Sequence, residues 1–318
     1  MNKFVTILAC LMLAVSVNAG VLINLPDGTV EDEVITTGKV WYVSSVTGSD
    51  DHSGTSPDYP VATIDKAIGL CTANKGDVIY VMVGHAEILT LVSGMTCDVA
   101  GITIIGLGNG DDKGTVTLNG LLADASDVAL NVSITADNVT MKNLLFVAEV
   151  DALEEIIDID MAVAYTYIDN CYFEMSDADS QAECAIDLKG GNSFTRISNC
   201  EIYGADAGGI EAIIIGTNTL CDRVKIIDNI IDGDFTSACI ESAMVNTYIT
   251  ISGNQLQNVN TGEHVIELSA ASTGIISYNS GYCDMTQATG IDPGSCKCIE
   301  NYTTDAVDVS GILTPAGT

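Results

Sequence analysis

Positive charge is scarce in this 318-residue sequence. Eleven Lys and Arg face forty-three Asp and Glu, so the formal net charge is -32. The isoelectric point is near 4.1. Binders of nucleic acid need a basic face, so that class is excluded. The same balance argues against anionic lipid and, less strongly, against a polyanionic polysaccharide. Histidine is limited to His52, His85 and His264, and no CxxC pair occurs, which leaves no zinc-site spacing. Aromatic residues make up 5%, with Trp41 the single tryptophan. Beyond the N-terminus no apolar run is long enough to span a bilayer.

Apolar residues are plentiful despite the acids. They make up 47% of the chain, and the mean hydropathy is +0.33. Such a chain folds and does not behave as an acidic disordered tail. Small and β-branched apolar residues with 30 Gly suit stacked strands better than a bulky core.

Residues 1–19 have the three-part pattern of a secretory signal peptide. Lys3 gives the positive start, Phe4 to Val15 the apolar run, and Val17-Asn18-Ala19 the small-residue cleavage site before Gly20. The expected location is therefore exported, either secreted or at the cell surface. Removal of the leader takes away Lys3 and Cys10 and leaves ten cysteines. An even number in an oxidising compartment permits disulfides. The cluster Cys283, Cys296 and Cys298 predicts a local bridge.

Repetition decides the architecture. Short β-rich runs end in Asn143, Asn170, Asn199, Asn229, Asn254 and Asn279, which are 27, 29, 30, 25 and 25 residues apart. A second strand recurs in step: Ile157-Asp158-Ile159, Ile186-Asp187-Leu188, Ile213-Ile214-Ile215, Ile240-Glu241-Ser242 and Ile266-Glu267-Leu268. Two strands of nearly one period define a solenoid with one coil per repeat. Residues i and i+2 of a strand share a face, so the outer residues of each triplet are expected inside and the middle one in water. The Asn is expected at a bend, its amide bonded to the Asn of the next coil. Val78–Val83, Ile102–Ile105, Val116–Leu118 and Val132–Ile134 read as earlier strands. Ala62 to Cys71 reads as a short helix that caps the N-terminal end and covers its unpaired edge. The fold class is thus all-β, a parallel β-helix (β-solenoid) with a short N-terminal capping helix. Residues 20–40 form an N-terminal arm, 41–282 the β-helix and 283–318 a C-terminal cap or tail.

The stretch Trp41-Tyr-Val-Ser-Ser-Val-Thr-Gly-Ser-Asp50, followed by Ser53-Gly-Thr-Ser56, Pro60-Val-Ala-Thr-Ile-Asp-Lys-Ala67, Gly76-Asp-Val-Ile-Tyr-Val81 and Gly84-His85, resembles the start of a known family. It is similar to right-handed parallel β-helix proteins of the pectate-lyase-like superfamily, notably uncharacterised members from marine bacteriophages and bacteria. The likeness covers about residues 40 to 282 and implies the right-handed fold. That fold hosts lyases, hydrolases, adhesins and phage spikes, so it does not fix an activity.

Candidate chemistry centres on acids. Asp177 and Asp179, then Asp206, then Asp232 and Asp234 follow three consecutive Asn strands. Asp179, Asp206 and Asp234 are 27 and 28 residues apart, near the coil period. Coils are about 4.8 Å apart, and unit charges at that distance repel by about 0.9 kcal/mol even in water. Such a patch reads as a solvated acidic ridge, as a Ca²⁺ site, or as paired carboxyls for glycoside hydrolysis. A second acidic line, Asp158, Asp187, Glu241 and Glu267, is interrupted by Ile214. It reads as a charged sheet face that blocks aggregation, with sugar binding as the alternative.

The resemblance brings catalytic motifs to compare. Polygalacturonase-type members carry Asn-Thr-Asp, Asp-Asp, Gly-His-Gly and Arg-Ile-Lys; this chain offers only Arg223-Val-Lys225. Lyase-type members use an Arg or Lys base, but the motifs around it are absent from Arg196 and Arg223. Arg196 and Lys225 read as outward strand residues. Gly106 to Gly114 lacks the Gly-Lys-Ser/Thr ending of a phosphate loop and reads as a turn. Cys171 and Cys200 occupy the same place one coil apart, as stacked thiols or a bridge.

These readings favour a non-enzymatic exported or virion-associated β-helix that serves as a surface structural or binding module, with a neutral glycan as its expected ligand. The alternative is a polysaccharide-active enzyme, a glycoside hydrolase before a lyase. A self-assembling homo-oligomer or filament is a further reading. It rests on the β-like ends Val21 to Leu25 and Ala306 to Leu313. No cofactor other than Ca²⁺ is implied.

Overall fold

The structure is a computed structural model. It describes residues 38–89, 94–110, 113–118, 131–149, 153–175, 182–204, 209–284 and 290–305. Almost all regular structure in them is parallel β. Three sheets of ten, eight and nine strands run the length of a solenoid. Each regular coil contributes one strand to each sheet, as in Thr140–Lys142, Leu144–Ala148 and Leu153–Ile159. This is the expected all-β parallel β-helix.

Inward residues stack in rows along the axis. Ile157, Ile186, Ile213, Ile240, Ile266 and Ile291 are consecutive register partners in the eight-stranded sheet. All six lie in one continuous apolar core and are at most 1% exposed. Phe146 and Phe173 stack inside at 5.1 Å between centroids. Thin coils leave room for few aromatic side chains, which accounts for the low aromatic content.

The helix is Ile64–Leu70, shorter at both ends than Ala62 to Cys71. Thr63 caps it, with Oγ1 accepting the Lys66 N–H at 3.2 Å, and Glu87 accepts the Ile64 N–H at 2.9 Å. Ile64, Ala67 and Ile68 face the core, which seals the first coils. His85 is buried and contacts Glu87 at 3.2 Å, so it supports this cap.

The Asn reading holds in part and needs a register correction. The pairing places Ser198 opposite Ile227, so Asn199 matches Asp228 and Asn229 matches Cys200. Asn143, Asn170 and Asn199 are left-handed bend residues, with φ between 52° and 55°. From the next coil that position passes to Asp228, Gly253, Tyr278 and Glu300. The following position becomes Asn229, Asn254, Asn279 and Asn301. Only these four form an unbroken amide ladder, at 3.0, 2.9 and 2.8 Å. Asn199 bonds instead to the Asp169 carboxylate.

The ten described cysteines are free thiols, and no bridge joins Cys283, Cys296 and Cys298. Cys283 lies on a strand of the nine-stranded sheet and Cys298 on one of the ten-stranded sheet. Cys171 and Cys200 are buried neighbours in the core, not a disulfide.

Candidate functional site

Of the five acids first singled out, the described residues include Asp232 and Asp234. Asp177, Asp179 and Asp206 lie outside the described residues. Asp232 sits on the nine-stranded sheet between Tyr203 and Gln257. Asp234 follows that strand, and its Oδ1 is buried without a hydrogen-bond partner. Among the described residues no group of three His, Cys, Asp or Glu side chains could hold a metal.

The second acidic line gives a more definite site. Asp158, Asp187, Ile214, Glu241, Glu267 and Asp292 are successive register partners. They form one row on the outer side of the eight-stranded sheet. The expectation that every middle residue meets water is corrected here: Asp187 is 4% and Ile214 8% exposed. The extra polar neighbours explain why a carboxylate tolerates this. A second short row, Glu155, Cys184 and Glu211, runs beside the first.

Lys189 ties the rows together. Its Nζ lies 2.6 Å from Asp187 Oδ2 and 3.1 Å from Glu155 Oε2. Asn131 donates to Glu155 Oε1 at 2.7 Å, and Thr217 donates its hydroxyl to Asp187 Oδ1. Burial opposes the charge on Lys189, but Asp187 and Glu155 outweigh it and raise its pKa above the usual lysine value. Ser237 donates to Glu241, two coils beyond Asp187.

Two carboxyls here each have one oxygen without a partner. Glu211 Oε2 and Asp158 Oδ1 are buried with no hydrogen bond. Burial, followed by Glu241, Asp187 and Glu183, pushes the Glu211 pKa up to about 8. Burial and Glu155 push Asp158 to about 6, against the lowering effect of Lys189. The face therefore holds two carboxyls, Glu211 and Asp158, whose neutral forms burial favours. Protonated, Glu211 can donate a hydrogen bond; the carboxylates accept them.

A separate groove of about 490 Å³ lies on the nine-stranded sheet, lined by Gly110, Lys113, Leu145, Tyr172, Glu174 and Glu201. Tyr172 stacks on Tyr203 at 5.2 Å beside it. Sequence reasoning found this third strand at Val116–Leu118 and missed it in the regular coils that follow. Only one or two residues, such as Asn170 and Cys171, join it to the preceding strand, so the two strands read as one run with an Asn bend. It also missed Glu155 and Glu211, which lie outside the repeating triplets.

No family model matches the chain, and no curated protein matches it. Solved structures do. The chain is similar to a rhamnogalacturonan lyase, with 13% identity, a TM-score of 0.55, and coverage of 84% of this chain and 74% of that one. It also aligns with the pectin methylesterase from Aspergillus niger, at 13% identity and a TM-score of 0.41, covering 84% and 85% of the two chains. A GH136 lacto-N-biosidase from Eubacterium ramulus aligns at 12% identity and a TM-score of 0.36, covering 84% and 67%. The first of these likenesses shows the fold, a parallel β-helix.

Proposed function

We propose that the protein is an exported, non-enzymatic β-helix that binds a neutral glycan on the outer face of its eight-stranded sheet. The observation that carries this reading is the joined row of Asp158, Asp187 and Glu241 with Glu155, Glu211, Lys189 and Thr217. Carboxylates accept hydrogen bonds from sugar hydroxyls; the half-buried Asp158, Glu241 and Glu267 offer them along the row, and the buried Asp187, engaged by Lys189 and Thr217, holds it together. The negative charge of the row disfavours an acidic glycan. The leader pattern and the fold are both in keeping with an exported protein.

The test is binding to a panel of neutral oligosaccharides by calorimetry. The wild type should bind at least one, and Asp187→Asn with Glu241→Gln should weaken that binding about tenfold or more, since about 1.4 kcal/mol is a factor of ten. Absence of binding to the whole panel, or binding unchanged in the variant, would overturn the proposal.

One observation favours a second reading, glycoside hydrolysis. Burial pushes the Glu211 pKa up beside Asp187 and Glu241, and acid-assisted cleavage of a glycosidic bond uses a carboxyl with a raised pKa. A reducing-end assay separates the readings. Turnover that is lost in Glu211→Gln assigns an enzyme; binding without turnover assigns a binding module.

A further inference from the structure

The outer face of the ten-stranded sheet has the opposite character. Arg196 and Lys225 are direct register partners on adjacent strands, and both side chains are exposed. Among the described residues neither joins an ion pair. Like charges placed opposite each other on a sheet are destabilising. Here they persist in a chain with forty-three acids available to separate or neutralise them. Arg223 stands two residues before Lys225, at the edge of the same sheet. Arg196 and Arg223 are the only arginines in the sequence, so both fall in this one patch.

Arg223 is held in place from three sides. Its guanidinium lies 5.3 Å from the Phe194 ring centre and 5.0 Å from that of Tyr248, and it pairs with Asp222. Tyr165 extends the column, stacked on Phe194 at 4.8 Å with 5° between planes. The bridges Ala164–Ser193–Asp222–Thr247 set this order coil by coil. Phe194 and Tyr248 thus hold the guanidinium, and Tyr165 backs Phe194. A shallow groove beside them is lined by Thr140, Lys142, Tyr167, Asp169, Arg196 and Ser198. Asp169 is engaged by Lys142 at 3.6 Å and by the Ser198 hydroxyl at 2.8 Å.

We propose that Arg196, Arg223 and Lys225 form a binding site for a sulfated polysaccharide. Arg196 and Lys225, outside any ion pair among the described residues and on adjacent coils, with Arg223 fixed beside them against Asp222, suit an anion with three terminal oxygens, whereas one guanidinium already satisfies both oxygens of a carboxylate. The site is a narrow strip, with the acidic eight- and nine-stranded sheets on either side. A broad polyanion such as duplex DNA or an anionic membrane brings those acids into contact with itself. A single chain lying along the solenoid axis does not, because charges beyond about 8 Å are screened at physiological ionic strength. Net charge therefore excludes a broad polyanion without excluding a thin one.

The test uses the full mature chain and dextran sulfate, with unsulfated dextran, polygalacturonate and duplex DNA as comparison ligands. Dextran sulfate should bind at least tenfold tighter than each of the others. Arg196→Gln with Lys225→Gln should reduce that affinity at least tenfold and flatten its salt dependence, since fewer counterions are released. The thermal unfolding curve of this surface variant checks that it folds; Lys225→Gln alone provides a milder variant. Asp187→Asn with Glu241→Gln should not weaken dextran sulfate binding, which separates this site from the neutral-glycan face. Equal binding of polygalacturonate or DNA, failure of dextran sulfate to exceed dextran, or undiminished binding by the double variant would overturn the proposal.

Discussion

Asn254 is bonded twice to Asn279 one coil away: its side-chain amide and its backbone N–H reach the same Oδ1, at 2.9 and 3.0 Å. Its own Oδ1 accepts the equivalent pair from Asn229. Each ladder oxygen thus satisfies a bend N–H that no strand can reach, inside a fully buried corner.

Asn254→Ala should therefore be costly. It strands the Asn229 donors and the Ile226 carbonyl that Asn254 Nδ2 serves. Each buried group left unpaired costs about 1–3 kcal/mol. Asn170 is exposed, and its side chain donates one bond, to Asn143 at 3.1 Å. Its φ of 52° suits glycine, so Asn170→Gly should cost under about 1 kcal/mol. Thermal unfolding followed by circular dichroism compares them; equal losses would show that the ladder does not support the corner.

The same ladder shows what was legible in the sequence. The period, the parallel sheets and the inward Ile row were readable because stacked coils repeat their apolar residues. The step from Asn199 to Asn229, one residue longer than its predecessor, marked the change of position. A bend residue and a ladder residue are both Asn, for different reasons, so identity alone could not separate them. Asn301 was missed because it lies 22 residues beyond Asn279, in a short coil. The basic strip was hidden by the net charge, a sum that carries no position. Lys189 was hidden because its partners come from different coils.

Phe235 is fully buried and presses on two glycines. A Cβ at Gly204 would lie 2.6 Å from its Cε1, and one at Gly233 would lie 2.6 Å from its Cζ. Gly204→Ala and Gly233→Ala should each destabilise by about 1–3 kcal/mol through overpacking. Phe235→Leu should lose stability alone but relieve part of either penalty. A double-mutant cycle of urea midpoints reads the coupling; simple additivity would refute the contact.

Stability should depend on pH through Glu211. Its folded pKa of about 8 exceeds the ordinary 4.5, so the folded state keeps a proton that the unfolded state has lost. Its contribution is full below about pH 4.5 and is lost as pH rises through about 8. Asp158, at about 6, adds the same sign from pH 3.8 upward. Urea unfolding at pH 5 and pH 8.5 should show a fall that is smaller in Glu211→Gln. An identical fall in both proteins would place the titration elsewhere.

Ile213 and Ile214 are adjacent in sequence but lie on opposite sides of one strand. Ile213 is wholly buried in the axial row, while Ile214 is 8% exposed between Asp187 and Glu241. Ile213→Asp places an unpaired carboxylate in the core and deletes packing, at a cost of several kcal/mol. It also removes support from both neighbouring coils. Ile214→Asp completes a row of like charges and should cost less, by repulsion from Asp187 and Glu241. Ile214→Lys, which meets those same two acids with opposite charge, should cost less again. Thermal unfolding in low and high salt reads the order. Salt should narrow the gap between the two Ile214 variants, because their charge lies on the solvent side of the sheet near the half-buried Glu241, and should leave Ile213→Asp, inside the core, unchanged. If Ile214→Lys proves the most harmful of the three, residue 214 does not sit between the two acids and the outward row is misplaced.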